Sequence, residues 1–421
     1  VARSASAAAR ASSGGRPPEA PDPRWLDVVD QVARASLGRD DLRGPALAAE
    51  VARVSRAYTR ERGAAGALRD APRTAAAHAA RLRFFLPRDL AKVGLHGVGG
   101  PLHDLRASAA IPAARVWRVL DLGAGLGTTS LGVAAFARAS GAADVLDVTA
   151  LDDDPRALAL FERLAAATAP GGAAEALAVP VALRPRPFDL AAPGAEARVP
   201  EGPFDLVVAG LVLNELFAQA PAAEALARRA ALVRALLRRL APDGVLLVVE
   251  PALRETSRAL HALRDAALAP GPPDAAPEPT PHVLYPCTHT RPCPMLRAER
   301  DWCHDELPVA LPPPLADVAR DAGLRFEGLS FSALALGLRP RAHPPGAVRV
   351  VSDVLASKGK REVFVCGADG RVRLDVLDRD VPRGAADPLE GARRGALLAL
   401  PDLALDARDA GSPVRRARLR P

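Results

Sequence analysis

The chain is 421 residues long, more than one ordinary domain needs, so two or three units are expected. Hydrophobic residues make up 49% and aromatics only 4%, which leaves Leu, Val and Ala to fill the core, and no apolar run reaches 18 residues, which excludes an ordinary membrane-spanning helix. The formal charge of +7 favours an acidic partner, RNA being the usual one, although three Lys beside 53 Arg are also what a GC-rich genome writes wherever a cation is tolerated.

Residues 1–22 read as a disordered tail. Val1 to Pro18 are rich in Ala, Ser and Arg without acids, a composition shared by mitochondrial transit peptides and by tails from GC-rich bacteria, of which the second is preferred. Residues 23–110 read as a helical region. Trp25, Val28, Val29 and Val32 recur at helical spacing, and Asp41, Leu42, Leu47, Val51, Val54 and Tyr58 continue the period. The stretch 75–85 is a further helix, and Pro87 opens the next. Over 111–269 strands and helices alternate: strands at 116–122, 145–151, 179–183, 204–211 and 245–249, helices at 128–139, 155–167, 222–240 and 256–268, and a turn at Pro242-Asp243-Gly244. That alternation means a parallel, doubly wound sheet. Residues 270–310 combine a Pro-rich linker with a compact Cys/His segment at 282–304. Within 311–340, the stretch 324–336 supplies closing strands. Within 341–385, the stretch 348–376 alternates as a small β unit with a hairpin turn at Ala368-Asp369-Gly370. Residues 386–421 read as a basic tail carrying Arg415, Arg416, Arg418 and Arg420.

Asp121-Leu122-Gly123-Ala124-Gly125-Leu126-Gly127 directly follows the first strand of the alternating region and precedes a helix. Glycine suits such a loop because a side chain there would strike a closely approaching ligand. Asp152 ends the second strand, 27 residues after Gly125, where a carboxylate can accept both hydroxyls of a ribose. Asp189, after Pro187-Phe188, stands where methyltransferases contact adenine. Nicotinamide-dinucleotide folds share the first two features. Two details favour S-adenosylmethionine: Asp121 begins the loop, placed to act through it on the cofactor's amino-acid end, and Gly127 follows Gly125 by two residues rather than three. The expected fold class is α/β, a Rossmann-like class I S-adenosylmethionine-dependent methyltransferase fold. Its cofactor-binding candidates are Asp121, Gly123, Ala124, Gly125, Gly127, Asp152 and Asp189. After the fourth strand, where many amino-methylating enzymes carry Asn/Asp-Pro-Pro-Tyr, this chain has Leu211-Val212-Leu213-Asn214-Glu215-Leu216. Asn214 and Glu215 are the catalytic candidates, and a helix cap followed by an acid in the first turn is the equal structural alternative.

The chain has four cysteines, Cys287, Cys293, Cys303 and Cys366, three of them within 17 residues among His282, His289 and His304. Clustered thiols in a reducing compartment point to a metal. Four thiolates can bind zinc tetrahedrally or hold a [4Fe–4S] cluster. Structural zinc usually comes with paired C-x2-C knuckles, which are absent, and three spaced cysteines with a distant fourth suit a larger inorganic core. Pro286-Cys287 superficially fits the nucleophile of carbon-methylating RNA enzymes, but the cluster engages that thiol. Lys358-Gly359-Lys360 and Arg361 form a basic loop near Cys366, readable as a phosphate contact or as an ordinary charged turn.

These features together resemble the small-ribosomal-subunit methyltransferase-like proteins of bacteria and mitochondria, the Rsm-family assembly factors. The resemblance rests on Asp121 to Gly127, on Val212-Leu213-Asn214-Glu215-Leu216, on Val249-Glu250-Pro251, and above all on Tyr285-Pro286-Cys287-Thr288-His289, Arg291-Pro292-Cys293-Pro294 and Asp301-Trp302-Cys303-His304. It extends to Ser357-Lys358-Gly359-Lys360 and Val365-Cys366, and covers roughly residues 25–380. It implies a methyltransferase-like fold, binding to the RNA of the small subunit or its precursor particle, and a role in assembly or translation. It also implies a four-cysteine iron–sulfur cluster, as in mitochondrial members, held here by Cys287, Cys293, Cys303 and Cys366. The location implied is the cytoplasm of a bacterium or the mitochondrial matrix of a eukaryote, with no membrane partner. The alternatives are an active S-adenosylmethionine-dependent rRNA methyltransferase and, third, a zinc-stabilised small-molecule methyltransferase.

Overall fold

A computed structural model of the chain describes residues 20–59, 73–270, 280–385, 387–406, 412 and 414–419. Most of the expected N-terminal tail, most of the Pro-rich linker and Arg420 lie outside these described residues.

Five strands run parallel in the order 3-2-1-4-5: β1 (Ala114–Leu122), β2 (Ala143–Asp152), β3 (Val181–Pro187), β4 (Phe204–Gly210) and β5 (Leu240–Pro251). Successive residues serve opposite faces. Val119, Val148, Leu206 and Val245 enter one hydrophobic cluster, while Leu120, Leu151, Val207 and Leu246 enter the other. A sheet buried on both faces needs helices on both, and the β-helix-β connections supply them. The sheet continues with β6 (His282–Tyr285), β7 (Asp305–Ala310) and β8 (Glu327–Gly337). β8 is antiparallel to β5, and β6 and β7 lie end to end along its other side. The order 3-2-1-4-5-8-6, with one antiparallel strand wedged beside β5, is the Rossmann-like methyltransferase architecture that the sequence predicts.

Among the described residues six longer helices flank the sheet: α1 (Arg24–Leu37), α2 (Gly44–Thr59), α6 (Thr128–Ser140), α7 (Pro155–Ala167), α9 (Ala222–Leu237) and α10 (Arg254–Leu268). Shorter ones are α3 (Ala75–Ala80), α4 (Leu86–Asp89), α5 (Pro101–Ala107), α8 (Ala195–Arg198) and α11 (Pro313–Asp321). Thr74 caps α3 through its side chain, accepting from Ala77 N at 3.1 Å, and Asp154 caps α7, accepting from Arg156 and Ala157 at 3.0 and 3.1 Å.

The second sheet has the order β13-β9-β11-β12-β14, with β10 on β11. Its strands are β9 (Ala347–Val350), β10 (Leu355–Ser357), β11 (Lys360–Gly367), β12 (Gly370–Leu377), β13 (Leu397–Ala399) and β14 (Val414–Arg418). Val363, Val365, Val372, Leu374 and Val376 give it a core of its own. The predicted hairpin closes where expected, with Gly367 opposite Gly370 at φ +88°.

Three expectations are corrected. Pro87 does not open a separate helix. It lies just after a π-helical turn at Arg81–Phe85, which links α3 to α4 without a break. The widened turn absorbs a ring that has no N–H to give and no room against the preceding carbonyl. Pro242-Asp243-Gly244 is not a turn between elements but an irregularity inside β5, whose register against β4 slips between Phe204 and Leu206. The Cys/His segment opens on a strand of the main sheet, His282–Tyr285, to which sequence reasoning assigned no secondary structure. Arg415, Arg416 and Arg418 are not a tail. They lie on β14, paired in parallel with β12, and long-range pairing overrides a local sequence with few order signals.

Candidate active site and cysteine centre

A chamber of about 620 Å³ opens at the C-terminal ends of β1, β2 and β4, where ligands bind in open α/β sheets. Five of the cofactor candidates, Gly123, Ala124, Gly125, Asp152 and Asp189, line it together with both catalytic candidates, Asn214 and Glu215. Gly127 closes the loop behind the chamber. Asp121 is also behind the loop rather than in the chamber. It is buried, its Oδ2 accepts from Ser130 Oγ at 2.6 Å, and burial pushes its carboxyl up to about 7.

The glycines answer to the protein before any ligand. All three have positive φ. A Cβ on Gly123 would lie 2.4 Å from Val212, one on Gly125 2.6 Å from Arg81 Nη2, and one on Gly127 2.2 Å from the Phe161 ring. A side chain here would thus meet these named neighbours before any ligand. Asp152 fixes the loop: its Oδ2 accepts from Gly125 N at 2.7 Å and its Oδ1 from Asp154 N at 2.8 Å. Each carboxylate oxygen keeps lone-pair capacity for a further donor.

The segment after β4 is strained, with Leu211 at φ +60° and Phe217 at φ +62°. It presents Asn214 to a buried acid that sequence reasoning quoted but did not assign, Glu250 at the end of β5. Asn214 N donates to Glu250 Oε1 at 3.3 Å, and the side-chain amide, oriented with its nitrogen inward, donates to Glu250 Oε2 at 2.7 Å and to Leu211 O at 3.2 Å. Burial pushes Glu250 up to about 8. The N-terminal helices add residues that sequence reasoning missed. Arg81 lies against Gly125 from the π-helical turn, and Asp89 and Lys92 line the chamber as a buried pair 3.0 Å apart. One signal in the sequence pointed there: Lys92 is one of only three lysines.

The four cysteines come together from separate elements. Segment 286–304 leaves the main sheet between β6 and β7 and brings Cys287, Cys293 and Cys303, while Cys366 arrives on β11. Cys293, Cys366, Met295 and Val351 form one buried cluster, with Cys303 packed on it. All four thiols are free. Burial drives Cys303 well above the ordinary thiol value, and the nearby Cys287, Cys293 and Cys366 add to it; burial also raises Cys293 to about 12. Two arginines of α10 wire the segment in place. Arg258 donates to Met295 O, Ala298 O and Asp301 O at 2.7–2.8 Å, and Arg264 donates to His289 O at 2.6 Å and Arg291 O at 3.0 Å. His261 Nε2 lies 3.5 Å from Cys303 Sγ, and His289 Nε2 3.7 Å from Cys366 Sγ. Among the described residues, no three His, Cys, Asp or Glu side chains stand close enough together to hold a single metal ion.

Residues 105–391, more than half of the chain, match the family described as mitochondrial small ribosomal subunit Rsm22. The chain belongs to this family. Both the glycine loop and all four cysteines of this Rsm22 member fall inside the match. No curated protein matches the chain. Similar solved structures include a precorrin-6y C5,15-methyltransferase from Geobacter metallireducens, at 14% identity over 57% of this chain and 89% of that one, with a TM-score of 0.28. They also include the rRNA methyltransferase aviRa from Streptomyces viridochromogenes, at 23% identity over 34% and 69%, with a TM-score of 0.25. A third is a methyltransferase from Thiobacillus denitrificans in complex with S-adenosyl-L-homocysteine, at 22% identity over 40% and 57%, with a TM-score of 0.23. The basic loop of this family member is less free than its sequence suggests. Lys360 pairs with Glu362 and Asp375, and Arg361 with Asp378 and Asp387, which favours the ordinary charged turn over a phosphate contact at these two positions.

Proposed function

We propose that the protein binds S-adenosylmethionine in the chamber and works on the small ribosomal subunit, contacting its RNA during assembly or translation, in a bacterial cytoplasm or a mitochondrial matrix. The observation that carries the cofactor reading is the loop–carboxylate unit. Gly125 N is bonded to Asp152, and the carboxylate keeps acceptor capacity for ribose hydroxyls where the chamber is open. Bound there, the cofactor would supply an electrophilic methyl group. The chain's own part is to seat it with Asp152 and Asp189 and to present Asn214 and Glu215 on the acceptor side. The bonded Asn214–Glu250 pair favours the active rRNA methyltransferase as the second reading.

The same proposal gives Cys287, Cys293, Cys303 and Cys366 to one [4Fe–4S] cluster, with zinc as the alternative. In support, four free thiols, three from segment 286–304 and one from β11, lie within electrostatic reach of one another, a number that fits a four-thiolate centre. Calorimetry should record S-adenosylmethionine binding that Gly125→Arg abolishes in protein that is less stable but still folded, and the protein should co-sediment with small-subunit particles at low salt. Anaerobically isolated protein should carry about four irons per chain. No cofactor uptake by folded protein overturns the first part, no particle binding overturns the second, and stoichiometric zinc without iron overturns the cluster.

A further inference from the structure

The N-terminal end of the chamber carries a second constellation that the cofactor reading does not use. Asp89 and Lys92 sit on the last turn of α4 and the 3-10 turn Leu90–Val93 that follows it. That turn is pressed onto α6 at Gly132, where a Cβ would lie 2.3 Å from Leu90 O. A glycine inside a helix is unfavourable by itself, and here it lets the turn approach. Both side chains are about nine-tenths buried, at 6% and 10% exposure, yet both line the chamber.

Lys92 Nζ lies 3.0 Å from Asp89 Oδ2, while Asp89 Oδ1 has no hydrogen-bond partner among the described residues; Arg88 Nη1 stands 3.7 Å from it. A buried carboxylate oxygen left without a donor is destabilising, the more so when charged, unless something supplies one. The choice of lysine is informative in a chain that uses arginine for 53 of its 56 strong cations. An ammonium is compact, carries three rotatable donors, and spends one here on Asp89. Lys92 also lies within electrostatic reach of Glu250, the partner of Asn214, so the pair is at the acceptor end of the chamber. Phe85, Leu86, Val93 and Leu324 line the same chamber and offer apolar walls.

We propose that Asp89 and Lys92 form a base-reading subsite: Asp89 Oδ1 accepts an N–H, and Lys92 donates to the neighbouring acceptor, on the Watson–Crick edge of one unpaired nucleobase of RNA. A lone phosphate is the wrong ligand, because the Asp89 carboxylate stands between Lys92 and Arg88 and would repel it. A base edge has donor and acceptor side by side, and its apolar faces suit the walls. The subsite rests on the cofactor reading above, since it places a base beside that site.

The test uses the full chain saturated with S-adenosylhomocysteine, which keeps adenosine-like ligands out of the cofactor end. Binding of uridine monophosphate, N3-methyluridine monophosphate and ribose 5-phosphate is compared by saturation-transfer NMR and dialysis. Uridine monophosphate should bind. The N3-methyl compound and the sugar phosphate should bind about tenfold more weakly or worse, as the loss of a hydrogen bond to a charged group demands. Asp89→Asn and Lys92→Met should each weaken uridine monophosphate about tenfold while changing S-adenosylhomocysteine affinity less than about twofold. Equal binding of the methylated and unmethylated nucleotides overturns the proposal, and so does equal binding of ribose 5-phosphate. No nucleotide binding by cofactor-loaded protein also overturns it. The comparison among ligands on the wild type decides the matter even where a variant fails to fold. Protein that takes up no S-adenosylhomocysteine fails the underlying cofactor reading, and the subsite falls with it.

Discussion

Replacing Glu250 with glutamine should flatten the dependence of stability on pH. Glu250 is buried at the end of β5, and burial raises its carboxyl from an ordinary 4.5 to about 8, against the hydrogen bond from Asn214 N. A carboxyl whose folded pKa is raised binds a proton in the folded state that the unfolded chain has released. Its contribution is therefore intact below about pH 4.5 and is lost progressively as pH climbs to about 8. Each pH unit in that window removes up to about 1.4 kcal/mol, so the whole window is worth at most about 5 kcal/mol. The amide of Glu250→Gln keeps an acceptor for Asn214 and carries no charge. Urea unfolding at pH 5, 6.5 and 8 should give a wild-type stability that declines more steeply than that of Glu250→Gln, by about one proton's worth of slope. Asp121, raised to about 7, adds to the decline in both proteins and cancels from the comparison. Parallel slopes for the two proteins would refute the assignment of a proton to Glu250.

Gly127→Ala should destabilise by about 2–4 kcal/mol, from a positive φ of 77° and a Cβ 2.2 Å from the Phe161 ring. A double variant with Phe161→Leu should recover part of that loss in thermal melts, and no recovery would assign the whole cost to the backbone. Arg349→Met should cost about 2–4 kcal/mol by removing the arginine partner of Asp104, to which only His103 Nδ1 at 3.4 Å would remain, because Arg349 Nη1 is 2.8 Å from Asp104 Oδ2 and its Nε donates to Pro286 O at 2.8 Å. Limited proteolysis should then release the second sheet, and an unchanged cleavage pattern would count against the contact as the tie.

The parallel core was legible because its signals are local. Apolar-rich runs at 116–122 and 145–151, each broken by two polar residues, a glycine loop between them and a carboxylate after the second mark a βαβ unit without any long-range information. The roles of the glycines were less legible: the sequence shows where backbone approaches something, but Phe161 and Val212 occupy that space only once helix and loop have folded back. β6 and β14 escaped because both are short and take their hydrogen bonds from distant strands, β8 and β12. The cysteines were found by count, and their convergence depends on β11 reaching across from the second sheet. Lys92 was the missed residue with a readable signal, a rare residue type where the common one would have served elsewhere.

The chamber and the cysteine centre are two ends of one helix. Pro251, Ala252 and Leu253 line the chamber immediately before α10 begins, and Thr256 Oγ1 donates to Pro251 O at 2.6 Å, holding that entry. One and two turns further along, Arg258 and His261 meet the cysteine segment, and Arg264 and Asp265 meet it again, Asp265 Oδ2 accepting from Cys293 N at 2.8 Å. These positions follow the three-to-four-residue period of a single helical face, so α10 cannot satisfy one end while rotated away from the other. Ser257 locks the rotation from the sheet side through Ser332 Oγ at 2.7 Å. An arginine at 264 is explained by the same geometry, since its Nη1 and Nη2 reach two separate carbonyls, those of Arg291 and His289, with a planar fork that a lysine lacks, whereas at 258 the three carbonyls gather on the one Nη1. Whatever orders the cysteine segment therefore also fixes the helix whose entry forms a wall of the chamber.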